Sequence, residues 1–303
     1  MSVVDGSMAV NRSGIGRSRT RRIYSIGREI AARPTGFVGL TLVAFHLFLL
    51  AAGWILVPYD PSAQNGVEVL RAPSMSHWLG TDLLGRDVLS RTLVGGRAAI
   101  AITGLAAALA VTWGGAVGIA SGAFGGRFDN LAMGAIDAFL AIPKLFLLLV
   151  VVAVTGGGSM ALLPTLAAFY GLSVARIARA ATRDLASRDF VLAARARGER
   201  PFGLVWREML PNVIDILLVD GAMRWSWMLL AFSSLSFLGL GVAPPTPDWG
   251  VMIADVRVVL TIAPWNALAP SVALSCLILG INFLSDAAGK ALGVDLSGRD
   301  TAA

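Results

Sequence analysis

The sequence contains little charge. Charged residues make up only 15% of the 303 positions, against roughly 25% in an average soluble domain. Hydrophobic residues make up 56%, and the mean hydropathy is +0.72. A soluble domain of this length could not cover its surface with so few charges, which disfavours an ordinary soluble enzyme. The composition predicts a polytopic membrane protein whose apolar surface is covered by lipid.

Residues that bind metals or form disulfides are also scarce. Cys276 is the only cysteine, which excludes an intramolecular disulfide and a cysteine-based metal cluster. The two histidines, His46 and His77, lie in different kinds of segment. A membrane-embedded enzyme would need a cluster of His, Asp, Glu or Cys. We therefore expect no catalytic residue, no metal and no cofactor in this chain.

Six apolar segments are each long enough for the ~20 residues of a membrane-spanning helix. In lipid such segments must be helical to satisfy their own backbone hydrogen bonds, so the predicted fold is all-α with six transmembrane helices. The segments are residues 36–57, 98–126, 131–155, 156–175, 213–239 and a sixth within the charge-free stretch 258–285.

Arginine is distributed unevenly along the chain. Seven arginines precede the first segment, and a second group lies between Arg176 and Arg207. The positive-inside rule places both groups and both termini on the cytoplasmic side of the membrane. The net charge of +6 is therefore an orientation signal rather than a nucleic-acid footprint.

These boundaries divide the chain into five parts. They are a cytoplasmic tail (1–35), a first transmembrane helix (36–57), an extracytoplasmic loop with an interfacial helix (58–97), a five-helix core (98–287) that includes a cytoplasmic loop (184–212), and a cytoplasmic tail (288–303).

The cytoplasmic loop is predicted to form a compact knob of two short helices. Asp189 is the expected N-cap of the first helix, and Gly198 is expected to end it. Pro201 suits the first turn of the second helix, and Pro211 is a further helix breaker before the fifth apolar segment.

The spacing of Ala193-Ala194, Gly198 and Leu210-Pro211 resembles the EAA loop of ABC importer permeases. The resemblance implies that the loop docks into a cleft of an ATP-binding subunit. The family has Glu at the position of Leu192, so the reciprocal half of a capping box with Asp189 is missing. The alternative is an ordinary amphipathic loop. Candidate coupling residues are Asp189, Ala193, Ala194, Gly198, Leu210 and Pro211.

Longer stretches resemble one subfamily more closely. They are residues 77–91 (HWLGTDLLGRDVLSR), 234–250 (SLSFLGLGVAPPTPDWG) and 58–61 (PYDP). They are similar to the dipeptide/oligopeptide/nickel subfamily of binding-protein-dependent permeases, specifically to the second of its two paired permeases. The resemblance extends from about Ala32 to Leu292.

This resemblance implies a type I ABC importer permease that moves di- or oligopeptides across the cytoplasmic (inner) membrane of a bacterium. Nickel complexes, glycosides and opine-like compounds remain open as cargo. The implied partners are a second homologous permease in a heterodimer, two cytoplasmic ATP-binding subunits that hold ATP and Mg, and an extracytoplasmic substrate-binding protein. The chain has no G-x-x-x-x-G-K-[ST] motif, so it cannot hydrolyse ATP by the P-loop route.

The outer loops contain candidates for contact with the binding protein: Gly80, Thr81, Asp82, Gly85, Arg86, Asp87, Pro245 and Trp249. Two Asp/Arg pairs, Asp82 with Arg86 and Asp87 with Arg91, are spaced to stabilise a short surface helix. The alternative is that these residues only fix the fold of the loop. The proline-rich stretch 244–250 is a lid, a docking surface or a simple turn.

Candidates for the translocation path are Lys144, Trp227, Ser233 and Ser234. An ionisable residue within a span is expensive and often functional, and Lys144 could meet a substrate carboxylate. Alternatively, Lys144 snorkels or pairs with a neighbouring subunit, and the small polar residues serve helix packing. Direct pairing of Lys144 with Asp137 requires a bend at Pro143. Asp220 and Arg224 are expected to pair.

A stand-alone secondary transporter is the alternative from another class. Such proteins show inverted repeats with broken helices near the midplane, and the sequence contains no convincing repeat.

Overall fold

The computed structural model describes residues 19–294, and within this range the chain is helical without strands. The helices are α1 (Arg19–Ala32), α2 (Pro34–Leu56), α3 (Val88–Gly95), α4 (Arg97–Phe124), α5 (Gly126–Leu140), α6 (Lys144–Thr155), α7 (Ser159–Ala186), α8 (Asp189–Ala196), α9 (Pro201–Leu204), α10 (Leu210–Phe237), α11 (Trp249–Asp255) and α12 (Trp265–Leu292). The all-α prediction is confirmed. Residues 1–18 and 295–303 of the predicted tails lie outside the described residues.

The predicted number of six spans is not confirmed. By length and composition, four helical stretches of the described chain can cross a membrane: Pro34–Leu56, Val88–Phe124, Ser159–Ala186 and Trp265–Leu292. The bent pair α5–α6 would make a fifth. Helix α10 has 28 residues, enough in length, but it is less apolar because it carries Asp215, Asp220 and Arg224.

The third apolar segment is not one straight helix as predicted. It forms α5 and α6, which meet at an angle of 86° across residues 141–143. Pro143 precedes α6 in an extended conformation and has no backbone N–H to continue the ladder of α5. Its ring also disfavours helical geometry at Ile142, so the helix ends before it.

Helices α4 and α7 form the closest pair of the bundle, and glycines on α4 allow it. A β-carbon added at Gly114 would lie 2.3 Å from the carbonyl oxygen of Gly171, and one at Gly118 would lie 2.2 Å from that of Ala175. Gly114 and Gly118 thus form a small-xxx-small surface on α4 that admits the backbone of α7.

The main core is formed by residues of α4, α6, α7, α10 and α12, with Phe232, Leu166 and Leu277 fully buried at its centre. Helix α2 packs on α12 at the bundle surface, where Gly39 admits the backbone of Gly280 and Leu284. We call the end of the bundle with α8 and α9 the α8 end, and the opposite end, with α3 and α11, the α11 end.

Helix α1 was not predicted. It occupies part of the expected tail and is joined to α2 through Arg33, which precedes Pro34 at the start of α2. Gly36 of α2 packs against Ala287 of α12, so α1 lies at the α8 end.

Candidate functional site

The loop between α2 and α3 folds around Asp82 rather than as a surface helix. Asp82 Oδ1 accepts hydrogen bonds from the backbone N–H groups of Leu84 and Arg86, and Oδ2 accepts one from Arg86 Nε at 2.7 Å. Gly80 and Gly85 have φ angles of +72° and +70°, which favour glycine. The predicted Asp82–Arg86 pair is therefore present, but within a tight turn.

The second predicted pair, Asp87 with Arg91, is not formed. Asp87 caps α3, because its Oδ2 accepts from the backbone N–H and hydroxyl of Ser90. Arg91 instead donates to the carbonyl oxygen of Pro61 and lies 3.4 Å from Asp82. The short helix of this loop is thus α3, which begins after both acidic residues and is separated from α4 by Gly96 alone.

His77 joins two carboxylates in the same loop. Its Nδ1 lies 2.8 Å from Asp87 and its Nε2 lies 3.0 Å from Glu68, while Tyr59 packs against its ring. Burial acts to lower the pKa of His77, but the hydrogen bonds and charges of Asp87 and Glu68 together raise it above the ordinary value. The His77 ring therefore links Glu68 to Asp87, the residue that caps α3, and both carboxylates favour its protonated form.

Trp249 anchors α11 inside the bundle. Its side chain is only 1% exposed and lies over Gly95 and Gly96, where a β-carbon at Gly96 would come within 2.4 Å of the ring. Asp248 caps α11 by accepting from the backbone N–H of Val251, and burial raises the pKa of Asp248. In the preceding stretch Pro245 is exposed and the Pro244–Pro245 peptide bond is cis.

The loop residues predicted to meet a binding protein are mostly buried. Gly80, Thr81, Asp82, Gly85, Arg86, Asp87 and Trp249 are all buried, and only Pro245 of that set is exposed. This placement favours the alternative that they fix the fold of the loop. The exposed surface consists of other residues, with Met75 at 96%, Val67 at 82% and Trp78 at 70% exposure.

The α8 end has the predicted knob, with one correction at its start. Arg188 occupies the N-cap position of α8 without a side-chain capping hydrogen bond, and Asp189 stands in the first turn, so Asp189 is not the N-cap. An acidic residue in the first turn still stabilises the helix through its dipole. Gly198 follows the end of α8 with φ +80°, as predicted, and Pro201 opens α9.

A small apolar core holds the knob together. Val191, Ala194, Leu204 and Met209 are buried against each other, and Ala123 and Ala186 of α4 and α7 pack on them. Ala194 is completely buried, whereas Ala193, Asp189 and Gly198 are exposed. The knob is therefore packed directly on the ends of α4 and α7.

Pro211 does not break the chain into separate helices as predicted. Residues Val205–Met209 form one π-helical turn between α9 and α10, and Pro211 lies in the first turn of α10. The wider turn accommodates the ring and the missing N–H of proline. Asn212 Nδ2 donates to the carbonyl oxygen of Glu208 at 2.6 Å. Helix α9 of the knob is thus continuous with α10 through this turn.

Apolar side chains remain exposed on the knob. Phe202 is 67% exposed and Trp206 is 57% exposed, with ring centroids 6.1 Å apart. Phe190 and Leu192 on α8 are also exposed. Exposed aromatic pairs of this kind mark interaction surfaces.

A buried carboxylate fastens α5 to α7 near the knob. Asp129 is completely buried and accepts hydrogen bonds from Arg179 Nε and Nη2 and from Arg183 Nη2. A bidentate arginine pair of this kind fixes orientation as well as charge. The rigid contact places the start of α5 against the last turns of α7, directly before α8.

Lys144 lies at half-height of the bundle, among polar groups of α7 and α10. Its Nζ stands 4.3 Å from the ring centroid of Tyr170 and 3.4 Å from Ser173 Oγ. Tyr170 donates from its hydroxyl to the carbonyl oxygen of Trp227 at 3.0 Å. The expected Asp220–Arg224 pair is present at 3.1 Å and acts electrostatically on Lys144. We call Lys144, Tyr170, Ser173, Asp220 and Arg224 the Lys144 cluster.

The other predicted path residues lie apart from this cluster. Trp227 reaches it through its backbone, while its side chain is 58% exposed. Ser233 lies about 9 Å beyond Trp227 along the axis of α10, as judged from the rise of a helix. It is buried near Gly250. Ser234 donates to the carbonyl oxygen of Leu230 within its own helix.

Known proteins match this arrangement along nearly the whole chain. A family model described as the binding-protein-dependent transport system inner membrane component matches residues 114–296. A putative peptide permease protein of Brucella suis biovar 1 is 37% identical over 290 residues, which cover 91% of this chain and 95% of that protein. The chain belongs to this permease family. The family and fold resemblance inferred from the sequence is therefore confirmed.

Further relatives of the permease are glutathione transport system permease proteins GsiD. The protein of Pectobacterium atrosepticum is 35% identical over 254 residues, 82% of this chain and 84% of that protein. The protein of Escherichia coli O1:K1 / APEC is 34% identical over 276 residues, 89% of this chain and 88% of that protein. The chain is thus the permease component of a binding-protein-dependent ABC transport system, and a multi-pass inner membrane protein.

Sequence reasoning missed several residues that organise the permease. Tyr170 and Ser173 gave no signal because aromatic and small polar residues are common in membrane helices. Asp129 and Arg179 are 50 positions apart in sequence, so no local spacing pointed to their pair. For Arg179 and Arg183, the spacing of four residues on one helix was the available hint of a shared acceptor.

Proposed function

We propose that this permease imports di- and oligopeptides across the cytoplasmic membrane. The observation that carries the proposal is the 37% identity, over 91% of the chain, with a relative named as a peptide permease. Other relatives are named for transport of glutathione, which is a tripeptide. Small peptides are thus the cargo class that these names share.

The proposed complex contains a second homologous permease, two ATP-binding subunits and an extracytoplasmic substrate-binding protein. ATP hydrolysis belongs to the ATP-binding subunits, since this chain has no P-loop. The surface of the knob around Phe202 and Trp206 supports docking of such a subunit, because it is apolar, aromatic and exposed. Coupling then involves Ala193, Gly198 and Pro211 on the exposed side of the knob.

In the proposed orientation the α8 end and both termini are cytoplasmic. The exposed arginines of that end support it, among them Arg188, Arg195 and Arg200. Replacing Cys276 by Ser and introducing one cysteine at Met75 or at Gly198 provides the test. A membrane-impermeant thiol reagent added to cells with a permeabilised outer membrane should label the cysteine at 75 and not at 198. The opposite pattern would reverse the assignment.

The proposed mechanism is alternating access. ATP-driven closure of the ATP-binding pair pushes the knob, which is continuous with α10 through the π-helical turn and packs on the end of α7. Both helices contribute to the Lys144 cluster, so the push reaches the middle of the bundle. At the α11 end, the exposed loop surface around Trp78 and Pro245 meets the binding protein.

Calorimetric titration of the purified binding protein of this system tests the cargo. Dipeptides and tripeptides are expected to bind, whereas nickel chelates, glycosides and opine-like compounds are expected not to. Tight binding of any of these three classes, without binding of peptides, would replace the proposed cargo with that class.

A further inference from the structure

At half-height of the bundle, the carboxylates of Asp220 and Asp137 pair with arginines, and Lys144 has no ion-pair partner among the described residues. Asp220 pairs with Arg224, and Asp137 lies 3.7 Å from Arg176. Among the described residues, no carboxylate lies within ion-pair distance of Lys144 Nζ. A lone charge inside a membrane protein is costly unless an anion or water compensates it.

The groups that do contact Lys144 orient the ammonium without neutralising it. The face of the Tyr170 ring lies 4.3 Å from Nζ, and the hydroxyl of Ser173 lies at 3.4 Å, a long hydrogen bond. An ammonium has three donors, so these two contacts leave capacity for a further acceptor. The Tyr170 hydroxyl is itself engaged with the carbonyl oxygen of Trp227.

Lys144 also lines an open cavity. The cavity has a volume of about 210 Å³, and its wall is formed by residues 139–144, Leu147, Phe169 and Leu172. Most of this wall is apolar, with Lys144 as its only charged side chain among the described lining residues. A chamber with an apolar wall and one cation suits a small organic anion better than an inorganic ion, because the apolar part of the solute is covered as well.

The break between α5 and α6 places a second group that favours anions beside Lys144, namely the N-terminal end of α6. Lys144 is the first residue of α6, after a bend of 86°, and Pro143 provides no side-chain cap for the free backbone N–H groups of the first turn. Broken helices at half-height commonly present such ends to carboxylates of transported solutes. The ammonium of Lys144 and the N-terminal end of α6 thus both favour a negatively charged ligand.

We infer that Lys144 binds the carboxylate of the transported solute, at the C-terminus of a peptide, as the solute passes the break between α5 and α6. The inference rests on the proposed peptide cargo. Lys144 is then a specificity residue within the permease, in addition to any selection by the binding protein. The carboxylate supplies the counter-ion that no described residue provides within ion-pair distance of Lys144.

Uptake by the assembled complex in proteoliposomes tests this assignment. A tripeptide with a free C-terminal carboxylate is compared with the same tripeptide as its C-terminal amide, each at saturating binding protein and ATP. We expect Lys144→Met to lower the ratio of carboxylate to amide uptake by about tenfold, the loss typical of a charged hydrogen-bonded contact. Lys144→Arg should keep the ratio within about threefold, because the charge remains.

The chain offers a matched control, because Lys290 is its only other lysine and pairs with Asp286 on the surface. Lys290→Met should leave the uptake ratio unchanged. If Lys144→Met lowers the uptake of both peptides equally, or leaves the ratio unaltered, the assignment is wrong. If the Lys144→Arg variant loses the preference as fully as Lys144→Met, a packing role replaces carboxylate binding.

A labelling experiment separates this inference from the proposed cargo. A membrane-permeant amine reagent is applied to the assembled complex, and mass spectrometry measures the modification of the two lysines of this chain, Lys144 and Lys290. An N-acetylated dipeptide should protect Lys144 and not Lys290, while its C-terminal amide should protect neither. Uptake of neither tripeptide by the unmodified complex would contradict the peptide cargo. Equal protection of Lys144 by acid and amide, or none, would contradict the role of Lys144.

Discussion

The indole Nε1 of Trp249 donates a hydrogen bond to the backbone carbonyl oxygen of Thr92, 2.9 Å away. This contact joins α11 to α3, and the ring of His46 on α2 meets Trp249 edge to face at 5.9 Å. Three elements of the α11 end are therefore fixed by one side chain. The proline-rich stretch before α11 connects directly to this anchor.

Replacing Trp249 should destabilise the permease in two graded steps. Trp249→Phe loses the hydrogen bond and should lower the free energy of unfolding by about 1 kcal/mol. Trp249→Ala also empties a fully packed site and should lower it by about 3–5 kcal/mol. Thermal unfolding in detergent measures both. Trp78→Ala is the control, since Trp78 is 70% exposed, and a loss of stability as large as that of Trp249→Ala would contradict the anchor.

Substitution of two glycines of α4 by alanine should have opposite effects on the stability of the permease. At Gly118 a β-carbon would meet the carbonyl oxygen of Ala175 at 2.2 Å and Ala178 Cβ at 2.5 Å, so Gly118→Ala should destabilise by about 1–3 kcal/mol. At Gly104 the nearest atoms belong to Trp225 at an ordinary 3.7 Å, so Gly104→Ala should be neutral or stabilise by up to about 1 kcal/mol. Equal effects on the melting temperature would contradict the close approach of α4 and α7.

The stability of the α11 end should depend on pH through His77. Because the pKa of His77 is raised above its ordinary value of 6.5, protonation is favoured in the folded loop. The resulting stabilisation is fully present below that value and is lost as pH rises through the raised pKa. Melting temperatures measured across this range should fall with pH in the native chain. The decrease in melting temperature with pH should be smaller in His77→Gln. If the decrease is as steep in that variant as in the native chain, groups other than His77 cause the pH dependence.

The aromatic surface of the knob should bind the ATP-binding subunits. Phe202→Ser should weaken co-purification of those subunits by about tenfold or more, as expected for an exposed aromatic anchor. The melting temperature of the isolated permease should stay unchanged, because Phe202 is 67% exposed. Tyr24→Ser on α1, also exposed, is the matched control. Unaltered co-purification in Phe202→Ser would place the docking surface elsewhere.

Local sequence signals predicted local structure well. Gly198 and Pro201 marked the end and the start of short helices, because their backbone preferences act within one or two residues. The apolar segments located α2, α4, α7 and α12, and the spacing of four residues found the Asp220–Arg224 pair. These features depend on neighbours in the chain.

Features that depend on tertiary contacts were not predictable in the same way. Arg91 has the spacing to pair with Asp87, yet Asp87 caps α3 and Arg91 turns to Asp82 and Pro61. Trp249 was a candidate for contact with the binding protein in the proline-rich outer loop, but the gap left by Gly95 and Gly96 buries it. In both cases the competing partner lies on another element.

The Lys144 cluster shows the same limit. Lys144 was recognised as an ionisable residue within an apolar segment, whereas its surroundings come from α7 and α10, far away in sequence. The bend at Pro143 determines which side of α6 meets those helices. Sequence spacing alone did not establish that bend.

Reconstitution with and without the ATP-binding subunits tests the central claim most directly. The permease pair, the binding protein and a labelled tripeptide are placed in proteoliposomes, and uptake is followed with ATP, without ATP and without the ATP-binding subunits. We expect uptake only when all components and ATP are present. Uptake by the permease without any ATP-binding subunit, driven by an ion gradient or by diffusion, would contradict the account.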